Sequence, residues 1–250
     1  MKLKLFLARL ERPSDNKTLF PEPAINKIPE WYKSLSRFYK SNSNESLHLE
    51  NHIGTDGSST STKVCMPYFD ALTMGYVFPL PVDIHVELDE DGKPSMTWDK
   101  GELPIDQRYM IDVPLPDNCH PIHYGWRMEW YYETPPGYSV MITHPMNRHD
   151  LPFYTLSGVV DADNWGLPVF ISFFLKRGFR GTIPAGTPMF QMIPFKRDDW
   201  DLELIVDDKE ALNKHELRAE LRRVDLLSHY KKTTWVKKIF RSSRGNDGKN

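Results

Sequence analysis

Gly158-Val159-Val160-Asp161-Ala162-Asp163-Asn164-Trp165-Gly166 opens the stretch on which the fold turns. Pro168-Val169-Phe170-Ile171-Ser172-Phe173-Phe174-Leu175 follows, and then Gly181-Thr182-Ile183-Pro184-Ala185-Gly186-Thr187-Pro188-Met189-Phe190-Gln191-Met192-Ile193. β-Branched and aromatic residues dominate the apolar runs, and turn formers separate them, which is the composition of short strands. Asp161 and Asp163 are expected to shape a tight turn, because their carboxylates bond nearby backbone groups.

The same pattern extends outward. Tyr76-Val77-Phe78-Pro79-Leu80 and Asp83-Ile84-His85-Val86-Glu87-Leu88 read as strands, the second with period-two alternation. Asp89-Glu90-Asp91-Gly92 supplies a hairpin turn and Ser95-Met96-Thr97-Trp98 the return strand. Trp126 to Tyr131 and Tyr138 to Ile142 are further strands. The expected fold class is therefore all-β, a sandwich or barrel over residues 63–206. Residues 1–62 read as an irregular extension and linker. Within it Met1 to Leu7 forms a first strand, Glu30 to Leu35 a short helix after Pro29, and Ser41 to Thr62 a loop. Residues 207–250 read as a helical basic tail. Asp207-Asp208 caps a helix whose Leu212, Leu217, Leu221 and Val224 recur at helical spacing, and the last stretch from Ser242 is expected to be disordered.

Composition narrows the classes. The chain has 250 residues with a net charge of -2, so no overall charge draws it to nucleic acid or membrane. Two cysteines, Cys65 and Cys119, make no disulfide framework and point to a reducing compartment. No apolar run approaches the roughly 20 residues that cross a bilayer. The apolar start ends at Arg9, short for a secretion signal. A phosphate loop, a dinucleotide glycine fingerprint and a Gly-x-Ser-x-Gly nucleophile turn are all missing from the sequence. The seven tryptophans read as core or interface anchors.

The order of the opening stretch resembles the trimeric dUTPase and dCTP deaminase superfamily, whose hairpin reads Gly-Val-Ile-Asp-x-Asp-Tyr-Arg-Gly. The resemblance implies a β-clip barrel that assembles as a homotrimer. It places Asp161 at the aspartate that activates the attacking water, and Gln191 at the glutamine of a later motif. Thr134-Pro135-Pro136-Gly137-Tyr138-Ser139 lies at the phosphate-binding segment and Thr73-Met74-Gly75-Tyr76-Val77 at the first motif. Asn164 replaces the tyrosine that stacks on the base, Pro136 replaces the phosphate-binding arginine, and Val77 replaces the aspartate that helps hold Mg²⁺. The strand Ile171-Ser172-Phe173-Phe174 carries no glutamate for deamination.

A second set of residues spans nearly the whole chain: Pro23-Ala24, Ile28 to Lys33, Lys63 to Tyr76, Thr134 to Ser139, His144-Pro145-Met146-Asn147 and Tyr230-Lys231-Lys232. In these it is similar to a protein family common in tailed-phage genomes. The similarity implies a viral origin, in the infected host's cytoplasm or in the virion, and no particular activity.

Two function classes follow. One is a non-catalytic oligomeric phage protein, a virion component or interaction module on a dUTPase-like scaffold, with no cofactor and with other phage proteins as partners. The other is a divergent nucleotide hydrolase, a nucleoside triphosphate pyrophosphatase, or a nucleotide binder, which would need Mg²⁺. For the second, Asp161 is the candidate base. Tyr138, Ser139, His144, Asn147, Asn164 and Gln191 are the candidate ligand contacts, several of them expected to line one pocket with the loop from His144 to Asp150. Cys119-His120-Pro121-Ile122-His123, with His144 or His149, invites a zinc reading, against which stands a packed or solvated loop; we assign no metal site. Lys231, Lys232, Lys237, Lys238 and Arg241, interleaved with Trp235 and Phe240, suit contact with nucleic acid, or a solvated helix face, or docking on an acidic neighbouring subunit. From Lys209 onward, 12 Lys/Arg face 5 Asp/Glu.

Overall fold

The computed structural model describes residues 1–7, 19–40, 58–99, 104–108, 114–164, 167–206, 208–224 and 229–243. The strands are β1 (Lys4–Leu7), β2 (Glu22–Pro23), β3 (Phe38–Lys40), β4 (Ser58–Thr60), β5 (Tyr76–Pro79), β6 (Ile84–Leu88), β7 (Pro94–Trp98) and β8 (Ile105–Arg108). They continue with β9 (Cys119–Arg127), β10 (Trp130–Glu133), β11 (Tyr138–Thr143), β12 (Phe153–Thr155), β13 (Gly158–Val160), β14 (Phe170–Lys176), β15 (Gly181–Ile183) and β16 (Pro188–Lys196). The α-helices are α1 (Glu30–Ser34), α2 (Met66–Thr73), α3 (Lys209–Val224) and α4 (His229–Thr233).

The chain divides into two compact units. One comprises Met1–Lys27, Thr73–Arg197 and Phe240–Asn250, the other Ile28–Leu72 and Asp198–Ile239. Strand pairing joins parts of the segment 1–62, expected as an extension and linker, to the β unit: β1 pairs with β10 and β2 with β5.

The first unit is mainly antiparallel sheet. A five-stranded sheet runs β13-β11-β16-β5-β2 and a four-stranded one β12-β14-β9-β8. A three-stranded sheet runs β15-β6-β7, and β1-β10 forms a ribbon. Among the described residues every sheet is open-ended and none closes into a barrel. The β6–β7 hairpin follows its sequence: Ile84 and Val86 are buried while Glu87 is exposed, and the Asp89 carboxylate accepts from the amides of Asp91 and Lys93 at 3.1 and 2.8 Å. That carboxylate satisfies two turn amides, which is why aspartate suits the first turn position.

Large aromatics build the core. Trp126 of β9 stacks on Phe173 of β14 with ring centroids 3.6 Å apart, and Phe78 of β5 on Phe190 of β16 at 4.6 Å. Both pairs belong to one hydrophobic cluster that also holds Val140, Ile142 and Met192. Large flat side chains bury much apolar area per residue, and stacking adds roughly 0.5–1.5 kcal/mol per pair. Trp126 Nε1 donates to Thr155 Oγ1 at 3.1 Å, and that hydroxyl donates to the Met189 carbonyl of β16 at 2.7 Å.

Three local expectations are corrected. Cys119 to His123, expected as a loop, starts β9, and the register between β9 and β14 shifts between Phe174 and Lys176, so Pro121 falls in the bulge where no ladder amide is needed. The expected single strand from Trp126 to Tyr131 breaks after Arg127, because Trp130 onward leaves the four-stranded sheet to pair with β1. Ser58–Thr60, expected as loop, pairs with β3, while residues 41–57 and 244–250 lie outside the described residues.

In the second unit Tyr32 of α1 is buried and stacks on Tyr68 of α2 at 6.0 Å. The Asp208 carboxylate caps α3 by accepting from the Ala211 amide at 2.9 Å; Asp207 lies outside the described residues. Leu212 and Leu217 of α3 are exposed. Among the described residues no helix is long and apolar enough to cross a membrane.

Candidate functional site

Strand β11 sorts the candidate residues. Its register sets Tyr138 opposite Lys196 and Thr143 opposite Gln191. Ser139 therefore sits near one end and His144 follows the other, about 16 Å apart at a rise of ~3.3 Å per residue. Tyr138, Ser139, Asp161 and Asn164 stand at the first end, and His144, Asn147 and Gln191 at the second.

At the first end, the segment Thr134–Ser139 folds against the turn Asp161–Asn164. The Thr134 amide donates to the Ala162 carbonyl at 3.3 Å, and the Asn164 amide closes the turn on the Asp161 carbonyl at 3.0 Å. Ser139 Oγ donates to Asp161 Oδ1 at 2.6 Å. The Gly137 amide donates to Asp163 Oδ2 at 2.8 Å. Arg197, the residue after β16, completes the cluster. Its Nη1 lies 2.9 Å from Asp163 Oδ1 and 3.0 Å from Ser139 Oγ, its Nη2 donates to Asp163 Oδ2, and Asp161 Oδ1 is 3.3 Å away. Tyr138 contributes its carbonyl, which accepts from Thr134 Oγ1 at 2.8 Å.

The two carboxylates are unequal. The Asp163 side chain is 8% exposed and that of Asp161 62%. The Arg197 guanidinium, with the Gly137 amide, holds the Asp163 carboxyl down to about 2, since donors to the charged form favour it. The stretch that resembles a phosphate-binding segment thus presents the Gly137 amide to an anion, Arg197 from the end of β16 adds a guanidinium, and Asp163 of the same chain is that anion.

At the second end, Gln191 is buried in β16. Its Oε1 accepts from the Met146 amide at 2.9 Å and its Nε2 donates to the Met74 carbonyl. Asn147 takes φ of +60°, a conformation asparagine tolerates better than most side chains. His144 Nδ1 accepts from the Thr155 amide at 3.3 Å, which leaves Nε2 to donate to the Arg148 carbonyl at 3.0 Å. Burial pushes the imidazole down to about 4. Arg148 pairs with Asp150 through two contacts of 2.9 Å. Gly75 sits beside this end with φ of +70°, and a Cβ there would stand 2.2 Å from the Met192 carbonyl oxygen.

The residues of the zinc reading make local contacts. His123 stacks on Phe174 at 5.1 Å, and His120 Nδ1 accepts from the Ile122 amide at 3.2 Å. Among the described residues, no group of three or more His, Cys, Asp or Glu is gathered as a metal would require. In the tail, Trp235 Nε1 donates to both oxygens of Asp70 at 3.0 Å and Lys238 Nζ reaches Asp70 at 2.7 Å. The Phe240 ring meets Tyr76 edge-on at 5.7 Å, and the Tyr76 hydroxyl donates to the Arg241 carbonyl at 3.1 Å. Trp235 is thus engaged through its ring N–H and Phe240 through its ring, while Lys231, Lys232 and Lys237 are exposed.

Arg197 is the residue that sequence reasoning missed. It stands 34 positions from Asp163, outside the stretches that carry the dUTPase resemblance, and only the pairing of β11 with β16 brings it there. Neither a scan against family models nor a search of curated proteins finds a match to this chain.

Proposed function

We propose that this protein is a non-catalytic oligomeric component of a tailed phage, a virion part or interaction module on a dUTPase-like scaffold, acting in the infected cell's cytoplasm or in the particle. One observation carries the non-catalytic part: Asp163 occupies the anion position that Gly137 and Arg197 create. A phosphate group arriving there must displace a carboxylate already held by two donor groups. Asp161 is likewise engaged by Ser139 rather than poised alone over an open site. The phage and β-clip parts rest on the sequence resemblances.

The test is a melting series with and without Mg²⁺ and each deoxynucleoside triphosphate. A ligand at 100 times its Kd stabilises a fold by about 2.7 kcal/mol, which a melt resolves easily. No shift is expected. A shift for one nucleotide that disappears in Asp161→Asn would overturn the reading. Detection of the chain in purified virions distinguishes a particle component from an intracellular module.

The hydrolase reading keeps one observation in its favour. The Asp161 side chain is 62% exposed, so water reaches the carboxylate that the resemblance assigns as base.

A further inference from the structure

The segment Asp198-Asp199-Trp200-Asp201-Leu202-Glu203-Leu204-Ile205-Val206 takes neither helix nor strand. Trp200 is 89% exposed, Leu202 86%, Leu204 79% and Val206 81%. This is the most heavily exposed run of large apolar side chains among the described residues, and water-facing apolar runs of this kind mark interaction surfaces. From Asp199 to Leu204 acids and apolar residues alternate strictly. On an extended backbone that alternation sets the carboxylates on one face and the apolar groups on the other.

The same structural unit holds a segment of opposite charge. Residues 198–206 carry four acids and no base, and residues 229–239 carry Lys231, Lys232, Lys237 and Lys238 and no acid. Val236 and Ile239 of this basic segment are exposed. The segment is anchored: Trp235 and Lys238 both bind Asp70 of α2. An anchored strip loses little freedom on binding, and so favours capture of an arm.

We propose that the acidic arm 198–206 docks on the basic segment 229–239 of a second copy of this chain. Carboxylates meet lysines, and Trp200, Leu202 and Leu204 cover Val236 and Ile239. Within one copy both sets of apolar groups stay exposed, so the complement each needs is supplied in trans. Charge opposite charge sets register and partner, and apolar cover sets strength. The pairing rests on the oligomeric part of the function proposed above and does not require its non-catalytic part.

The experiment measures molar mass by light scattering at low and high salt on the full chain. Three chains are compared with the natural one. The first carries Asp199→Lys, Asp201→Lys and Glu203→Lys. The second carries Lys231→Glu, Lys232→Glu and Lys237→Glu, with Lys238 kept because Asp70 holds it. The third carries all six. All the altered residues are exposed, and circular dichroism checks that each chain folds. The natural chain is expected to have the mass of two or more copies. Each triple variant alone drops to one copy, a mixture of the two triples gains mass, and the sixfold variant recovers the natural mass.

A natural chain that stays at one copy overturns the pairing, as do triple variants that keep the natural mass. Folded triples that drop in mass while neither the mixture nor the sixfold variant recovers also overturn it. If the lysine triple loses retention of random DNA on a filter while its mass is unchanged, the basic segment's occupant is nucleic acid and the pairing is wrong. A nucleotide-dependent melt sinks the non-catalytic reading and leaves these masses untouched, so the two failures are distinguishable.

Discussion

Arg197 Nη1 lies 2.9 Å from Asp163 Oδ1, and Nη2 of the same guanidinium donates to the other carboxylate oxygen. A planar fork on a planar carboxylate is the geometry in which Arg–Asp pairs are strongest. It ties the end of β16 to the turn after β13 and crosses β11 through Ser139. Asp163 titrates at about 2 in the fold and near ~3.9 in an unfolded chain. Between those values the unfolded chain binds more protons, so this contribution is complete above about pH 4 and is lost as pH falls toward 2. Thermal melts from pH 6 to 2 should fall more steeply for the natural chain than for Asp163→Asn. Equal slopes would show that the pair contributes nothing to folding.

His144 works in the opposite chemical sense over a higher window. Its imidazole is neutral in the fold, titrating at about 4 against an ordinary ~6.5. The unfolded chain therefore takes up a proton first, and stability present above about 6.5 is lost as pH falls to about 4. Replacing His144 by Ala leaves the Thr155 amide and Arg148 carbonyl without their partner, a cost of about 2–3 kcal/mol. Denaturant titrations should show that loss at pH 7, shrinking toward pH 4. A constant difference across the range would contradict the neutral tautomer.

Gly75→Ala should be among the most damaging single-atom-scale changes. The added methyl meets a main-chain oxygen at 2.2 Å, and φ of +70° strains any side chain, roughly 1–3 kcal/mol for the backbone alone. Expression as soluble protein with an unchanged unfolding midpoint would show that β5 and β16 can separate there at no cost.

Gln191 should behave as a structural clamp. Gln191→Leu keeps the size and removes both bonds, leaving the Met146 amide and Met74 carbonyl to find other partners. A loss of about 1–3 kcal/mol per stranded group is expected in urea unfolding. Because Gln191 and Asp163 lie at opposite ends of β11, the losses from Gln191→Leu and Asp163→Asn should add. Strong non-additivity would mean that the two ends communicate.

Much of the sheet was legible from local pattern. The β6–β7 hairpin is encoded by alternating Ile84 and Val86 and by the turn-forming Asp89 and Gly92, all within fifteen residues. Tyr138 to Ile142 and Pro188 to Ile193 read as strands because each is short, apolar and bounded by turn formers. What local pattern does not contain is pairing. Cys119 to His123 read as a packed or solvated loop, yet a bulge admits Pro121 to β9, and that follows only from the register with β14. Likewise Asp161 and Ser139 were visible as site candidates and Asp163 as a turn former, but Arg197, which contacts all three, arrives through β16. His144 and Asn147 looked like ligand contacts because they are polar and lie in a loop between two strand candidates, and Gln191 because the resemblance sets it at the glutamine of a later motif. His144 and Gln191 turn out to bond main-chain groups of their own fold, and Asn147 holds a turn at positive φ.

Thr155 has a consequence of its own. Its hydroxyl accepts a hydrogen bond from Trp126 in the four-stranded sheet and donates one to the Met189 carbonyl in the five-stranded sheet. A hydrophobic interface alone tolerates sliding, since apolar contact has no direction. A directional link through the middle of the core acts as a dowel. It holds the two sheets at one offset, so that they part together or not at all, and amides flanking Thr155 and Met189 should exchange with solvent only when the whole β unit opens.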